Sequence, residues 1–133
     1  MATDDVRSDR RYTKDHEWAK AEGGEIVVGI TAFAVDQLGD ITLVNLDVKP
    51  GDVLEEGKPF GTIESVKTLS DLFAPLSGKV ARINGDLDNK PELVNDDCYG
   101  HAWMIAIEPT DPAALDTLLD ADAYADFLKT AAH

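Results

Sequence analysis

Between Tyr12 and Glu108 the chain is a succession of short apolar segments, each closed by turn-forming residues. Short strands at such close spacing are typical of a β-sandwich or a β-barrel. Few helices are expected in this part of the chain. The pattern therefore predicts a mainly β fold in which the turns decide which strands meet.

The clearest turn signal is Gly23-Gly24, a pair that supplies the positive φ angles of a tight hairpin. It separates two predicted strands, at residues 17–21 and 25–30. Further strands are predicted at residues 41–46, 60–66, around 73–74, at 79–83 and at 103–108. Asn84-Gly85 predicts a second hairpin turn directly after the strand at 79–83.

Helices are predicted at three places. Thr31 is a suitable cap for a short helix that ends at Gly39. Asp111 and Pro112 suit the cap and first turn of another helix, and a last helix is expected over residues 121–129. The first of these helices is expected to carry Leu115, Leu118 and Leu119 on one face, and the last helix is expected to bury Tyr124, Phe127 and Leu128.

A chain of 133 residues suits one domain with its own core. We expect a flexible N-terminal tail over residues 1–11 and a single domain over 12–133. The 12 basic against 26 acidic residues give a formal charge of -14. Such a charge repels nucleic acid and anionic membranes and favours basic partner surfaces, although solubility alone also explains it.

Cys98 is the only cysteine, so the chain cannot form an intramolecular disulfide or a cysteine metal cluster. Its first residues lack the apolar core of a signal peptide, and no segment approaches the roughly 20 apolar residues that span a bilayer. The sequence therefore predicts a cytoplasmic bacterial protein, while a processed mitochondrial form would look the same.

Lys67 lies where the strand at 60–66 reverses into the segment around Phe73. A lysine at such a hairpin tip is exposed, and another protein can reach and acylate its amine. On position alone, however, an ordinary solvated turn lysine is by far the more common explanation.

The residues around this lysine are more specific. The run GTIESVK, residues 61–67, resembles the lipoyl attachment motif of glycine cleavage H proteins. Further matches to this family follow in order and extend the resemblance over residues 12–129: YTKDHEW at 12–18, VGIT at 28–31, QLGD at 37–40, SD at 70–71, APLSG at 74–78, PELVN at 91–95 and YG at 99–100.

The resemblance implies a barrel-sandwich hybrid of two small antiparallel sheets, with Lys67 on a hairpin and short C-terminal α-helices alongside. It also implies a monomeric, non-enzymatic carrier with lipoate bound covalently to Lys67. In this family the arm takes an aminomethyl group from a pyridoxal-phosphate glycine decarboxylase (P protein). An aminomethyltransferase (T protein) passes the one-carbon unit to tetrahydrofolate, and a dihydrolipoyl dehydrogenase (L protein) reoxidises the arm.

Three acidic residues acquire roles from the resemblance. Glu17 and Asp71 match positions that hold the amine of the loaded arm, and a carboxylate suits that task because it pairs with ammonium. Glu64 matches a position that helps the lipoate-attaching enzyme recognise its target. Without the resemblance, Glu17 and Asp71 read as solvated carboxylates and Glu64 as the polar side of a strand. Asp15 departs from the family, where serine or glutamate stands in some members.

Other functions remain open at this point. An H-like protein that serves lipoate assembly, or acts as a binding module, would share these motifs. A biotin carrier would have methionines beside the lysine, where Val66 and Thr68 stand. Cys98 and His101 invite a thiolate enzyme, but a catalytic pair needs tertiary alignment and an orienting group. His16 and His101 lack a recognisable metal-ligand spacing.

Overall fold

The computed structural model describes residues 6–131. Within that range strands predominate, and the predicted mainly β fold is confirmed. The elements in chain order are β1 Arg11–Tyr12, β2 Glu17–Glu22, β3 Glu25–Ile30, α1 Ala32–Leu38, β4 Ile41–Leu46, β5 Val53–Leu54, β6 Pro59–Ser65, β7 Leu69–Phe73, β8 Gly78–Ile83, α2 Asp86–Asn89, α3 Leu93–Asp96, β9 Ile105–Pro109, a 3-10 helix Pro112–Thr117 and α4 Ala121–Ala131.

The strands form two antiparallel sheets, as predicted. One has six strands in the order β1-β2-β3-β9-β8-β5, and the other has three in the order β4-β6-β7. Apolar side chains from both sheets, including Val28 and Ile63, form the main core. A second cluster, which includes Val27 and Tyr124, joins β3 to α4. Because Val27 and Val28 point to opposite faces, β3 is buried on both sides.

Local turn chemistry was predicted correctly in the first half of the chain. Gly23 and Gly24 have φ angles of 58° and 86° and close the hairpin between β2 and β3. The Thr31 side chain accepts a hydrogen bond from the backbone N–H of Ala34 and caps α1. Gly39 ends this helix with a φ of 81°, a conformation that favours glycine.

The predicted hairpin at Asn84-Gly85 is wrong. Gly85 has a right-handed helical conformation and leads into α2, and β8 reaches its antiparallel partner β9 only after α2 and α3. The Asn84 side chain is buried, and its Nδ2 donates hydrogen bonds to the carbonyl oxygens of His101 (2.8 Å) and Trp103 (2.7 Å). Asn84 therefore links the end of β8 to the segment before β9 and does not form a two-residue hairpin turn.

The C-terminal segment was predicted partly correctly. Asp111 caps a helix that has Pro112 at its start, but this is a 3-10 helix that ends at Thr117. Leu118 and Leu119 therefore do not share its face, and Leu119 pairs with Tyr12 through backbone hydrogen bonds. In α4, Tyr124 and Leu128 are buried as predicted, whereas Phe127 is half-buried.

The predicted N-terminal tail divides into two parts. Residues 1–5 lie outside the described residues. Arg10 is buried, with its guanidinium 4.6 Å from the centre of the Trp18 ring, and Arg11 pairs with Ala19 in β1. The body of the protein therefore includes these two arginines.

Candidate functional site

Lys67 lies at the tip of the β6–β7 hairpin. The turn is closed by a 2.8 Å hydrogen bond from the backbone N–H of Ser65 to the carbonyl of Thr68. The Ser65 hydroxyl accepts hydrogen bonds from the backbone N–H groups of Lys67 and Thr68, both at 3.2 Å. Ser65 therefore provides hydrogen-bond partners for the backbone of the turn. The Lys67 side chain is exposed to solvent.

The tip is tied to the end of α1. The backbone N–H of Val66 donates to the carbonyl of Asp40 at 3.1 Å. The Asn95 side chain holds the same segment, since its Nδ2 donates to the Gly39 carbonyl and its Oδ1 accepts from the Ile41 N–H, both at 2.9 Å. The lysine therefore projects from a fixed turn.

The stem of Lys67 packs beside Gly39. A Cβ atom placed on Gly39 would lie 3.3 Å from Cε of Lys67. Any larger residue at this position would therefore press on the lysine stem as well as strain the backbone. The stem lies at the end of α1, the helix that also lines a nearby cavity.

This cavity has a volume of about 160 Å³. Leu38, Ile63 and Leu72 contribute apolar lining, and the acidic residues Glu17 and Asp71 also line it. A cavity of about 150 Å³ holds a benzene-sized ring, so a group of that size fits here. The structure thus brings together the two acidic residues that the sequence resemblance singled out.

Glu17 is the buried acid of this cavity, with 2% of its surface exposed. One carboxyl oxygen accepts a hydrogen bond from the Phe73 N–H at 2.9 Å, and the other is 3.2 Å from the Thr13 hydroxyl. Burial, helped by the negative charge of Asp15, raises the pKa of Glu17 to about 8, although these hydrogen bonds favour the charged form. The solvated-carboxylate interpretation is therefore wrong for Glu17.

Two further carboxylates line the cavity, and both are exposed. Asp71 lies on the edge strand β7, and Asp15 lies in the turn before β2. The cavity therefore combines one deep, readily protonated carboxyl group with two solvated acids. Such an arrangement suits a ligand that carries a positive charge.

Glu64 lies apart from this cavity, exposed on the outer face of the three-stranded sheet. It stands directly opposite Leu43 on one neighbouring strand and Leu69 on the other. Glu64 is therefore separate from Glu17 and Asp71 in the structure, although it is only three residues from Lys67 in the sequence.

Residues 10–131 match the family model described as glycine cleavage H-protein. The chain belongs to this family. Members of the glycine cleavage H-protein family are carriers, so the chain is a carrier protein and not an enzyme, as predicted.

Similar H proteins cover almost the whole chain. The glycine cleavage system H protein of Magnetococcus marinus is 54% identical over 119 residues, which are 90% of this chain and 84% of that protein. The one from an Anaeromyxobacter species (strain K) is 51% identical over 126 residues, 94% of this chain and 97% of that protein. The crystal structure of the H protein from Mycobacterium marinum superposes with a TM-score of 0.84, at 38% identity, over 93% of this chain and 99% of that one.

The sequence did not indicate that His16 belongs to the cavity. His16 lines the cavity with a φ of 67°, and its Nδ1 lies 2.8 Å from the Tyr124 hydroxyl. The same hydroxyl lies 2.8 Å from Oγ1 of Thr31, the cap of α1. A fully buried tyrosine hydroxyl needs a partner, so the burial predicted for Tyr124 was the available signal.

Cys98 and His101, the other candidate residues of the sequence, are not part of the cavity lining. His101 pairs with Asp86, with Nε2 3.3 Å from a carboxylate oxygen, and the Cys98 carbonyl accepts a hydrogen bond from the Trp18 indole. Residues 6–131 contain no group of three or more histidine, cysteine or acidic side chains placed to hold a metal ion. None of the described helices has the length and apolar character needed to cross a membrane.

Proposed function

We propose that the chain is the lipoylated carrier of the glycine cleavage system, with lipoate in amide linkage to Lys67. The observation that carries this proposal is the position of the lysine. It is exposed on a hairpin held by Ser65, and its stem lies beside Gly39, at the end of the helix that lines the acidic cavity. Lipoate fits because the amine is accessible and the cavity is large enough for a small ring.

The bound lipoyl group supplies a disulfide that accepts an aminomethyl group and is left as a dithiol after the group is transferred. The proposed partners carry out the bond-making steps: glycine decarboxylase, aminomethyltransferase, dihydrolipoyl dehydrogenase and a lipoate-attaching enzyme. This chain, acting as a monomer in the bacterial cytoplasm, supplies position. Tethering to Lys67 raises the effective concentration of the cargo at successive active sites.

The residues of the cavity hold the amine of the loaded arm. Without a cation beside it, Glu17 is mostly protonated at neutral pH, because burial raises its pKa to about 8. An ammonium group that enters favours the ionised form, so Glu17 loses its proton and pairs with the cation. The Phe73 N–H and the Thr13 hydroxyl are already placed to hold the resulting carboxylate. Asp71 adds a second negative charge at the cavity surface.

The apolar side of the cavity protects the cargo. An aminomethyl group next to sulfur is lost when water reaches it, so exclusion of water prolongs its life. Leu38, Ile63 and Leu72 are buried and line the cavity. Their apolar side chains offer no hydrogen-bonding group to water on that part of the lining.

Two surface features serve the partners. Glu64 is exposed three residues before Lys67, where an enzyme that approaches the lysine meets it, so we assign it to recognition by the lipoate-attaching enzyme. The formal charge of -14 favours encounter with basic surfaces on the other components.

The test is a reconstituted exchange of labelled bicarbonate into glycine with glycine decarboxylase and the lipoylated chain. We expect activity with the wild type and with Lys58→Arg, a control at another exposed turn lysine, and none with Lys67→Arg. A fully lipoylated wild-type chain that supports no exchange would favour the second candidate, an H-like protein for lipoate assembly. Exchange that survives in Lys67→Arg would remove Lys67 from the proposal.

A further inference from the structure

His16 lines the cavity next to Glu17, but the proposed function gives it no task. Its φ of 67° is the only positive φ described among the non-glycine residues of 6–131. Such a conformation is uncommon, and it persists only where surrounding contacts hold the residue in place. The contacts of the His16 side chain therefore indicate what this strained position serves.

Two buried hydroxyl groups connect the imidazole to the start of α1. Nδ1 of His16 lies 2.8 Å from the Tyr124 hydroxyl, which lies 2.8 Å from Oγ1 of Thr31. Oγ1 of Thr31 also accepts a 3.3 Å hydrogen bond from the Ala34 N–H. The imidazole, the two hydroxyls and the first turn of α1 therefore form one continuous series of hydrogen bonds.

The Thr31 hydroxyl fixes the direction of these hydrogen bonds. Thr31 is fully buried, and among the hydrogen bonds described for residues 6–131 the only acceptor for its hydroxyl hydrogen is the Tyr124 oxygen. Thr31 therefore donates to Tyr124, and the Tyr124 hydroxyl donates to Nδ1 of His16. In a neutral imidazole one nitrogen accepts and the other donates, so His16 carries its proton on Nε2.

This arrangement keeps the imidazole uncharged. Protonation of Nδ1 would reverse both hydrogen bonds and leave the buried Thr31 hydroxyl hydrogen without an acceptor, which is unfavourable. The ring also packs beside Phe33, with centroids 4.4 Å apart, and beside Phe127 at 5.8 Å. Burial lowers the pKa of His16, against the opposing effect of Asp15.

The charged neighbours of His16 in the cavity lining are all acids. Asp15 and Glu17 flank it in the sequence, and Asp71 comes from β7. An imidazolium among these three acids would pair with them and repel an ammonium group. A neutral His16 leaves the carboxylates free to bind a cation carried by the arm.

The other elements around His16 add no positive charge to the lining. The residues that α1 contributes are uncharged, and α4 contributes the contact with the Tyr124 hydroxyl, whose pKa is raised by burial. Lys14, two residues earlier, lies with Nζ 6.0 Å from the centre of the Phe127 ring and does not line the cavity. The charge of His16 itself therefore decides whether a second cation competes with the cargo.

We propose that His16 is a positioning residue for the loaded arm, held neutral by the Thr31 and Tyr124 hydroxyls so that the cavity acids bind the cargo ammonium without a competing cation. This inference rests on the proposed function and deepens it. Glu17 and Asp71 hold the ammonium, and His16 acts through them. The cap of α1 therefore serves both the helix and the site.

The first measurement is the protonation state of His16 in the lipoylated chain, from the nitrogen chemical shifts of its imidazole. At neutral pH we expect Nε2 to be protonated and Nδ1 to be unprotonated. Tyr124→Phe removes the donor to Nδ1, so His16 should become charged at a higher pH than in the wild type. Tyr12→Phe, which removes the hydroxyl of the ring stacked on Tyr124, is the matched control and leaves His16 unchanged. A proton on Nδ1 in the wild type, or a charged ring at neutral pH, would contradict the inference.

The second measurement is release of the aminomethyl group from the isolated loaded protein, at pH 8 and at the lower pH where the same spectra show His16 charged. On acidification, release from the wild type should accelerate about tenfold more than release from His16→Asn, which corresponds to one pKa unit of repulsion. Asparagine tolerates a positive φ and does not titrate. His101→Asn changes an exposed histidine that pairs with Asp86 and should keep the wild-type pH profile.

Two results would overturn the role of His16 for different reasons. Equal acceleration in the wild type and in His16→Asn would mean that the two hydroxyls are structural contacts only, while lipoylation and loading of the arm still stand. A lipoylated chain that glycine decarboxylase does not load would overturn the proposed function, and the role of His16 with it.

Discussion

The Glu17 carboxyl group accepts a 2.9 Å hydrogen bond from the backbone N–H of Phe73, and this bond joins the two sheets. Glu17 begins β2 of the larger sheet, and Phe73 ends β7, an edge strand of the smaller one. An edge strand has N–H groups without partners in its own sheet. Glu17 therefore satisfies the sheet edge and places a buried acid in the cavity.

This burial makes stability depend on the charge of Glu17. Its pKa is raised from 4.5 to about 8 in the folded protein, so between these values the folded state binds more protons than the unfolded state. Stability from this group is complete below pH 4.5 and is lost as pH rises through about 8. We expect the free energy of unfolding to fall from pH 5 to pH 9 more steeply in the wild type than in Glu17→Gln. Urea denaturation at both pH values measures this, and equal slopes would contradict it.

The same carboxyl group is expected to protect the loaded arm. Glu17→Ala removes the partner of the amine, so the aminomethyl group should be released about tenfold faster, while lipoylation proceeds. Release of formaldehyde and ammonia from the isolated loaded protein is the measurement. Glu22→Ala changes an exposed glutamate on the same strand and should leave the rate unchanged. An unchanged release rate in Glu17→Ala would mean that Glu17 does not hold the amine of the loaded arm.

Gly39 offers a test of how the arm is guided. Alanine is strained at its φ of 81°, and the added methyl group would press on the stem of Lys67. Gly24→Ala places the same group at a φ of 86° with nothing within 4 Å. We expect both variants to lose about 1–3 kcal/mol of stability, but only Gly39→Ala to release the aminomethyl group faster. Equal release rates at equal stability would mean that the stem contact has no role.

Tyr124 is expected to shape the cavity from α4. Tyr124→Phe keeps the ring that stacks on Tyr12 at 4.5 Å but removes the hydroxyl that contacts His16 and Thr31. Tyr12→Phe is the matched control, because its hydroxyl contacts only backbone atoms of Arg7 among the described hydrogen bonds. Each variant should lose about 1–3 kcal/mol. Faster aminomethyl release in Tyr124→Phe alone would support a role of the Tyr124 hydroxyl in the cavity. Similar release rates in both variants would mean that this hydroxyl contributes only to stability.

The sequence predicted the features that local chemistry decides. The Gly23-Gly24 hairpin and the Thr31 cap each depend on residues within a few positions, and both were correct. Asn84-Gly85 failed because Asn84 is held by carbonyl groups 17 and 19 residues away. The strand Val53–Leu54 was missed because two residues give no periodicity.

In the candidate site, too, local features were predicted and features that depend on distant contacts were not. The tip position of Lys67 follows from its own hairpin and was predicted. Glu17 was identified through the family resemblance, but its burial and raised pKa could not be predicted, because its partner Phe73 lies 56 residues away. The link from His16 through Tyr124 spans 108 residues, so only the assembled fold reveals it.

The most direct test of the account is the intact mass of the chain after co-expression with a lipoate-attaching enzyme and lipoate. We expect the wild type and Lys58→Arg to gain the mass of one lipoyl group, and Lys67→Arg to gain none. Peptide mapping of the wild type should place the added mass on Lys67. A chain that gains no mass under conditions in which a known H protein is lipoylated would contradict the account, as would a lipoyl group retained in Lys67→Arg.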